Sequence, residues 1–245
     1  MKVALVTGAS RGLGVSIAKA LAKDGWSVAV NYARDDANAG LCVRQIGAEG
    51  GRAALAKFDV TDEQAVRSGI GRIETELGSV DLIVNNATGV QPDLSIMEQT
   101  WEDHLAQLLF FVKAPLLLLQ AVLPDWRKRK SGRIINIGSE VVDIGNARFA
   151  HYVAAKSAMV GLTRSWAQEL GPDGITVNLV APGWIPVERH ENVDQASLEQ
   201  YRRQVPLGSM GKPDDIAGMV VYLASDRASF ITGQTFSVNG GRTFA

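Results

Sequence analysis

Short β-branched runs recur along the chain: Val3-Ala4-Leu5-Val6, Val28-Ala29-Val30, Leu82-Ile83-Val84, Ile134-Ile135-Asn136-Ile137 and Thr176-Val177-Asn178-Leu179-Val180. Helix-length segments separate them: Leu13 to Asp24, Asp36 to Ala48, Glu63 to Leu77, Thr100 to Lys130, His151 to Leu170 and Asp214 to Ser225, several of them ended by Gly. Two further strands, around Ala53 to Phe58 and Thr235 to Val238, bring the count to about seven. Strand and helix in alternation predict an α/β fold, a doubly wound parallel sheet with helices on both faces. With no internal repeat and no low-complexity linker, residues 1–245 read as one domain. The least regular and most charged stretch, Gly183 to Gly211, is a candidate substrate flap.

Composition narrows the partners. A chain of 245 residues with 46% hydrophobic content can bury one large core. Its formal net charge of -1 gives no long-range pull toward nucleic acid or an anionic membrane, which leaves a small molecule as the expected partner. The one cysteine, Cys42, permits no intrachain disulfide, and His104, His151 and His190 are too scattered to suggest a metal site. The start of the chain leads directly into a strand pattern with no secretion signal. The longest apolar run, Ala114 to Leu123, falls short of the roughly 20 residues of a membrane span and reads as core helix. The expectation is a cytoplasmic, metal-free protein.

The first strand gives way to a helix through Thr7-Gly8-Ala9-Ser10-Arg11-Gly12-Leu13-Gly14. Glycines there permit a tight turn and let a pyrophosphate approach backbone N–H groups at a helix N-terminus. The spacing is G-x-x-x-G-x-G, only a partial match to the general dinucleotide fingerprint, and an ordinary glycine-rich loop is the alternative. After the second strand the chain reads Val30-Asn31-Tyr32-Ala33-Arg34, with no carboxylate to hold a ribose 2′-hydroxyl. Arg34 and Arg11 could face one 2′-phosphate, so NADP(H) is favoured and NAD(H) remains possible; Asp35 and Asp36 could offset Arg34.

Tyr152 and Lys156 lie four residues apart in a helical stretch, which stacks phenol and ammonium on one face. Bringing a tyrosine from its ordinary value near 10 to about 7 requires roughly 4 kcal/mol of preference for the phenolate, which a nearby ammonium can supply. Ser139 stands just past the strand Ile134 to Ile137, at the kind of strand end where open α/β sheets bind ligands.

Together, Thr7-Gly8-x-x-x-Gly12-x-Gly14, Asn85-Asn86-Ala87, Ser139, Tyr152-x-x-x-Lys156 and Pro182-Gly183 resemble the short-chain dehydrogenase/reductases over essentially the whole chain. Gly132-Arg133-Ile134-Ile135-Asn136-Ile137-Gly138-Ser139 and Val238-Asn239-Gly240-Gly241 resemble the 3-oxoacyl-carrier-protein reductase type within that family. The resemblance implies a Rossmann-type fold and hydride transfer between NADP(H) and a carbonyl or secondary alcohol. Tyr152 would be the general acid in ketone reduction, Ser139 the carbonyl-polarising donor, and Lys156 a ribose ligand that lowers the tyrosine pKa. Gly8, Ser10, Arg11, Gly12, Leu13, Gly14 and Arg34 would hold the phosphates. The resemblance further implies Asp59 and Val60 beside the adenine, Asn86 and Ala87 at the ribose, and Ile185, after Pro182-Gly183, near the carboxamide. A homotetramer is the implied assembly, helped by the small residues Ala154, Ala155 and Ala158.

The chain departs from the family pattern at several places. Thr88 replaces a glycine, Phe111 stands where a proton-relaying Asn is expected, and Val187 replaces a carboxamide-bonding threonine. The basic run Arg127-Lys128-Arg129-Lys130 could dock an acidic acyl carrier protein or be a solvated helix end. Asp173 stands where carrier-protein reductases often carry a base, which keeps a sugar or polyol dehydrogenase, or a non-catalytic cofactor-binding scaffold, as alternatives to a 3-oxoacyl-thioester reductase. His151 is expected to be structural, while Trp184 and Phe149 could wall a substrate pocket.

Overall fold

The structure, a computed structural model, describes residues 1–188 and 193–244. Seven parallel strands form one sheet in the order β3-β2-β1-β4-β5-β6-β7. They are β1 Val3–Val6, β2 Ser27–Tyr32, β3 Arg52–Lys57, β4 Val80–Asn85, β5 Gly132–Ile137, β6 Ile175–Pro182 and β7 Thr235–Val238. The helices are α1 Gly12–Lys23, α2 Asp36–Ala48, α3 Glu63–Glu76, α4 Trp101–Leu108, α5 Ala114–Arg129, α6 Val141–Ile144, α7 Ala150–Leu170, α8 Gln195–Arg203 and α9 Pro213–Ala224.

Because side chains alternate across a strand, β1 feeds both faces of the sheet. Ala4 and Val6 join Ile17, Leu21, Ile216, Val220 and Leu223 of α1 and α9 in one core. Val3 and Leu5 join Val66 and Ile70 of α3, Leu118 and Val122 of α5, and Trp166 of α7 in the other. Strand order reverses between β1 and β4, so a crevice opens outside their C-terminal ends, where α/β sheets of this kind bind ligands.

Three expectations change. The segment expected as one helix, Thr100 to Lys130, is interrupted by a π-helical turn at Leu109–Lys113, which widens the helix where Phe111 turns inward. The apolar helical run is also longer than the pattern suggested: Trp101–Arg129 is long and apolar enough to cross a membrane by length and composition. In the fold, however, its Leu117, Leu118, Val122 and Trp126 are buried against the sheet. Within the candidate flap, the charged stretch contains a helix, α8, begun by Asp194, whose side chain accepts from the Ser197 N–H. Residues 189–192, which include His190 and belong to that flap, lie outside the described residues.

Candidate active site

The glycine-rich turn is built by exclusion. A Cβ on Gly14 would lie 2.4 Å from the carbonyl oxygen of Gly8, and one on Gly8, itself at φ +62, would lie 2.9 Å from the Ala87 Cα. The ends of β1 and β4 therefore meet at a spacing that only glycine allows. Thr7 ties them: its hydroxyl accepts the N–H groups of both Asn86 and Ala87 at 2.9 Å. Asn86 sends its amide to the carbonyls of Thr7 (2.8 Å) and Gly8 (3.2 Å), so its side chain shapes the turn. From β2, the Asn31 carbonyl accepts the Ala9 N–H at 2.8 Å, and the Asn31 amide donates to Ala56 and Phe58. Thr88 lies outside the left-handed region and is exposed; the tight position is the next one, where a Cβ on Gly89 would strike Phe110 at 2.8 Å.

A cleft of about 500 Å³ lies between this turn and the segment after β6, lined by Gly12, Ser16, Pro186, Val187, Glu188 and Leu198 among others. Ser10 and Leu13 are half-buried in the turn, and Arg11 and Arg34 are exposed. Among the described residues neither guanidinium is in an ion pair. The two aspartates that could offset Arg34 are engaged elsewhere. Asp35 caps α2, and its bonds from Asn38, with the charge of Arg11 adding, hold its carboxyl below the usual range. Asp36 pairs with Lys57 at 2.7 Å and accepts from Tyr32, which lower its pKa as well. Asp59, exposed at the end of β3, accepts from Thr61, while Val60 beside it is buried.

On the other side of β4, α7 lies along β5 and β6. Lys156 is only 4% exposed, and its ammonium donates to the Ile137 carbonyl at 2.6 Å, which seats it two residues before Ser139. The same nitrogen stands 5.6 Å from the centre of the Tyr152 ring. Tyr152 and Ser139 are both half-buried, and the Ser139 hydroxyl oxygen accepts the Val141 N–H at 3.3 Å. Beneath them runs a buried polar chain: Asn85 donates to Asn136, and Asn136 to Thr163, each at 2.8 Å. Phe111 closes over Lys156. Its ring, 1% exposed, lies 3.8 Å from the Lys156 ammonium and edge-on to Tyr152 at 5.6 Å between centroids. The ring and the ammonium make a buried cation–π contact.

At the end of β6, Pro182 is buried, Gly183 leaves no room for a Cβ beside the Tyr201 hydroxyl, and Ile185 packs into the core. Trp184 stands edge-on to Tyr201 at 5.4 Å. His151 is fully buried between the rings of Phe149 (6.2 Å) and His104 (6.1 Å).

The family pattern described as "Enoyl-(Acyl carrier protein) reductase" matches residues 8–243. A solved short-chain dehydrogenase/reductase of Serratia marcescens, in variant form, superposes with a TM-score of 0.91 at 34% identity, covering 99% of this chain and 98% of that one. This chain is a short-chain dehydrogenase/reductase. A second solved structure, a dehydrogenase/reductase of Sinorhizobium meliloti 1021, gives a TM-score of 0.90 at 34% identity over 99% and 95% of the two chains. Among curated relatives, 3-oxoacyl-(acyl-carrier-protein) reductase FabG of Staphylococcus aureus strain Mu50 is 43% identical over 98% of this chain and 97% of its own length. The 3-oxoacyl-(acyl-carrier-protein) reductase of Synechocystis is 40% identical over 98% and 96%. As a family member, this chain is an oxidoreductase that uses a nicotinamide cofactor on C=O and CH–OH groups. The turn, the cleft and the exposed guanidinium groups are a donor set that fits a dinucleotide.

The basic run reads differently in three dimensions. Arg127 and Lys130 both bind Asp173, and Arg129 binds Asp81 and Asp125. Those contacts hold the Asp173 carboxyl below its ordinary range. Most of the run is consumed by carboxylates, and Asp173 presents no unpaired charge. Sequence reasoning had no signal for Glu140, Tyr201 or Arg242, which meet beside Ser139.

Proposed function

We propose that this short-chain dehydrogenase/reductase reduces 3-oxoacyl thioesters with NADPH. The observation that carries the reading is the seating of Lys156 against the end of β5, with Tyr152 one helical turn before it and Ser139 just beyond. The cofactor, when bound, supplies the hydride. Ser139 donates its hydroxyl hydrogen to the substrate carbonyl oxygen and polarises it. Tyr152 then gives that oxygen its phenolic proton, and the Lys156 ammonium stabilises the phenolate left behind. Gly8, Ser10, Arg11, Gly12, Leu13 and Gly14 would cradle the pyrophosphate at the start of α1; Asp59 and Val60 would flank the adenine, Asn86 and Ala87 the ribose, and Pro182, Gly183 and Ile185 the carboxamide. Arg34 and Arg11 favour a 2′-phosphate over a bare ribose, with Asp36 paired to Lys57 and Asp35 bonded to Asn38.

The names of the curated relatives support an acyl-carrier-protein thioester as substrate. The sugar-dehydrogenase alternative loses its motive, because Asp173 is neutralised by Arg127 and Lys130. One domain spans residues 1–245, with 183–211 as its substrate flap. The protein works in the cytoplasm as a homotetramer: Trp101, Leu105 and Leu116 on α4 and α5, and Tyr222 and Phe230 at α9 and just beyond, are exposed apolar side chains suited to subunit contacts.

The test is a panel of 3-oxoacyl, enoyl and sugar substrates with NADPH or NADH, followed by nicotinamide absorbance. Oxidation of NADPH by 3-oxoacyl thioesters, faster with the carrier-protein thioester than with the coenzyme A form, is expected. Turnover confined to enoyl thioesters or sugars would sink the proposal.

A further inference from the structure

Four segments from separate parts of the chain converge at the C-terminal ends of β5, β6 and β7. Their meeting point is the Tyr201 hydroxyl on α8. It accepts the Trp184 N–H at 2.6 Å and donates to the Glu140 carboxylate at 2.7 Å. The same Glu140 oxygen takes Arg242, just after β7, at 2.6 Å. The Arg242 guanidinium lies 4.3 Å from the centre of the Tyr201 ring and continues to Gln204, just after α8, at 2.9 Å. Backbone bonds reinforce the junction: Glu140 N–H to the Pro182 carbonyl at 3.0 Å and Gly183 N–H to Val238 at 3.1 Å. A second tie runs from Asn239 to Thr243 at 2.8 Å and from Thr243 to Asp143 of α6.

This arrangement is costly to build for packing alone. Glu140 is 3% exposed, and a carboxylate out of water needs its cation and its hydrogen bonds in place at once. Its other oxygen, buried as well, has no hydrogen-bond partner among the described residues. Burial pushes the Tyr201 phenol up to about 12, with Glu140 also raising it, so the hydroxyl keeps its proton and donates throughout the neutral range. Glu140 is the residue directly after Ser139, and Trp184 directly follows Pro182-Gly183. One hydroxyl therefore joins the backbone that carries the carbonyl-facing serine to the turn that borders the cofactor cleft.

We propose that Tyr201, Glu140 and Arg242 are positioning residues that fix Ser139 relative to Trp184 and thereby set how a carbonyl substrate is seated. This rests on the reading of Ser139 as the carbonyl donor. The role goes beyond holding α8 in place, because the two bonds of the Tyr201 hydroxyl end on Glu140, which adjoins Ser139, and on Trp184, which adjoins Gly183.

The test uses the full chain with Tyr201→Phe, which keeps the ring against Trp184 and Arg242 and deletes only the bridging oxygen. Amide exchange of the 183–188 segment, NADPH affinity by fluorescence titration, and kcat and KM for a 3-oxoacyl thioester are read together with the melting temperature. Losing one buried hydrogen-bond bridge should speed exchange at Trp184 and lower kcat/KM by about ten-fold each, while NADPH affinity moves less than about two-fold. Glu140→Gln, which keeps an acceptor for Tyr201 but removes the charge that pairs with Arg242, should lower kcat/KM as well while NADPH affinity moves less than about two-fold. Parent-like exchange and kcat/KM in Tyr201→Phe overturn the proposal, as does parent-like kcat/KM in Glu140→Gln. If the unsubstituted protein reduces no ketone, the functional reading fails separately, and the exchange rates alone then decide the clasp.

Discussion

Phe111 offers the sharpest test of how Lys156 is held. The ring stands 3.8 Å from the ammonium, at a buried position where a cation–π contact is worth about 2 kcal/mol. Phe111→Leu keeps an apolar side chain of similar reach and removes the π face. If the whole contact acts in the transition state, about 2 kcal/mol corresponds to roughly a 30-fold loss of kcat. Because the Ile137 carbonyl still binds Lys156 at 2.6 Å, part of the placement survives, and a fall between about 3- and 30-fold is expected. The packing change is smaller: about 1 kcal/mol, or roughly 2 to 4 °C in a chain of this size. The assay is steady-state ketone reduction at saturating cofactor, with thermal unfolding run on the same samples. A variant that melts a few degrees lower yet keeps kcat within about two-fold would show that Phe111 is packing and that Lys156 is held by its other contacts.

Three further outcomes follow from single contacts. Gly14→Ala, whose Cβ would stand 2.4 Å from the Gly8 carbonyl, should destabilise the turn by about 1 to 3 kcal/mol and abolish cofactor binding in a fluorescence titration; an unchanged dissociation constant would refute the turn geometry. Arg34→Ala should weaken NADPH binding by about 10- to 150-fold, the loss of a charged hydrogen bond to phosphate, and leave NADH within two-fold; equal losses for both would remove the argument for a 2′-phosphate. Glu199, held at about 2 by Arg202 and then Arg203, is an acid with a depressed pKa, so its contribution to α8 is present above its ordinary value of 4.5 and is lost as pH falls toward about 2. A carboxyl NMR titration that places Glu199 near 4.5 would contradict the ion pairs drawn for it.

The strands and most helices are legible because burial on both faces leaves no freedom in residue type: Val3-Ala4-Leu5-Val6 could be little else. The π-helical turn at Leu109–Lys113 is invisible, since Leu-Phe-Phe-Val is compatible with either helix type. Helix α8 escaped because its sequence is mostly polar and only Tyr201 in it is buried. The glycine turn, Ser139, Tyr152 and Lys156 stood out in the sequence because the task proposed for each restricts the residue at its position. Glu140 and Arg242 were not: each looks like an ordinary surface charge until the fold brings them within 2.6 Å across a sequence distance that no local pattern spans. The ion pairs of the basic run after Trp126 were unreadable for the same reason, as its acidic partners Asp81 and Asp173 lie far away in sequence.

A parallel sheet explains why all of this chemistry gathers on one edge. Every strand ends on the same side, so every turn that follows a strand must satisfy its freed backbone groups there. The chain does so with short polar side chains that bridge neighbouring turns: Thr7 between β1 and β4, Asn31 between β2 and β3, Asn85 and Asn136 between β4 and β5. The same device, repeated between β5, β6 and β7, becomes the Glu140, Tyr201 and Arg242 clasp. There a charged pair replaces the neutral amides, and a buried charge tolerates misplacement less than an amide does. The end of the sheet nearest Ser139 is therefore the one held to the tightest geometry, which is where a hydride acceptor needs its carbonyl fixed.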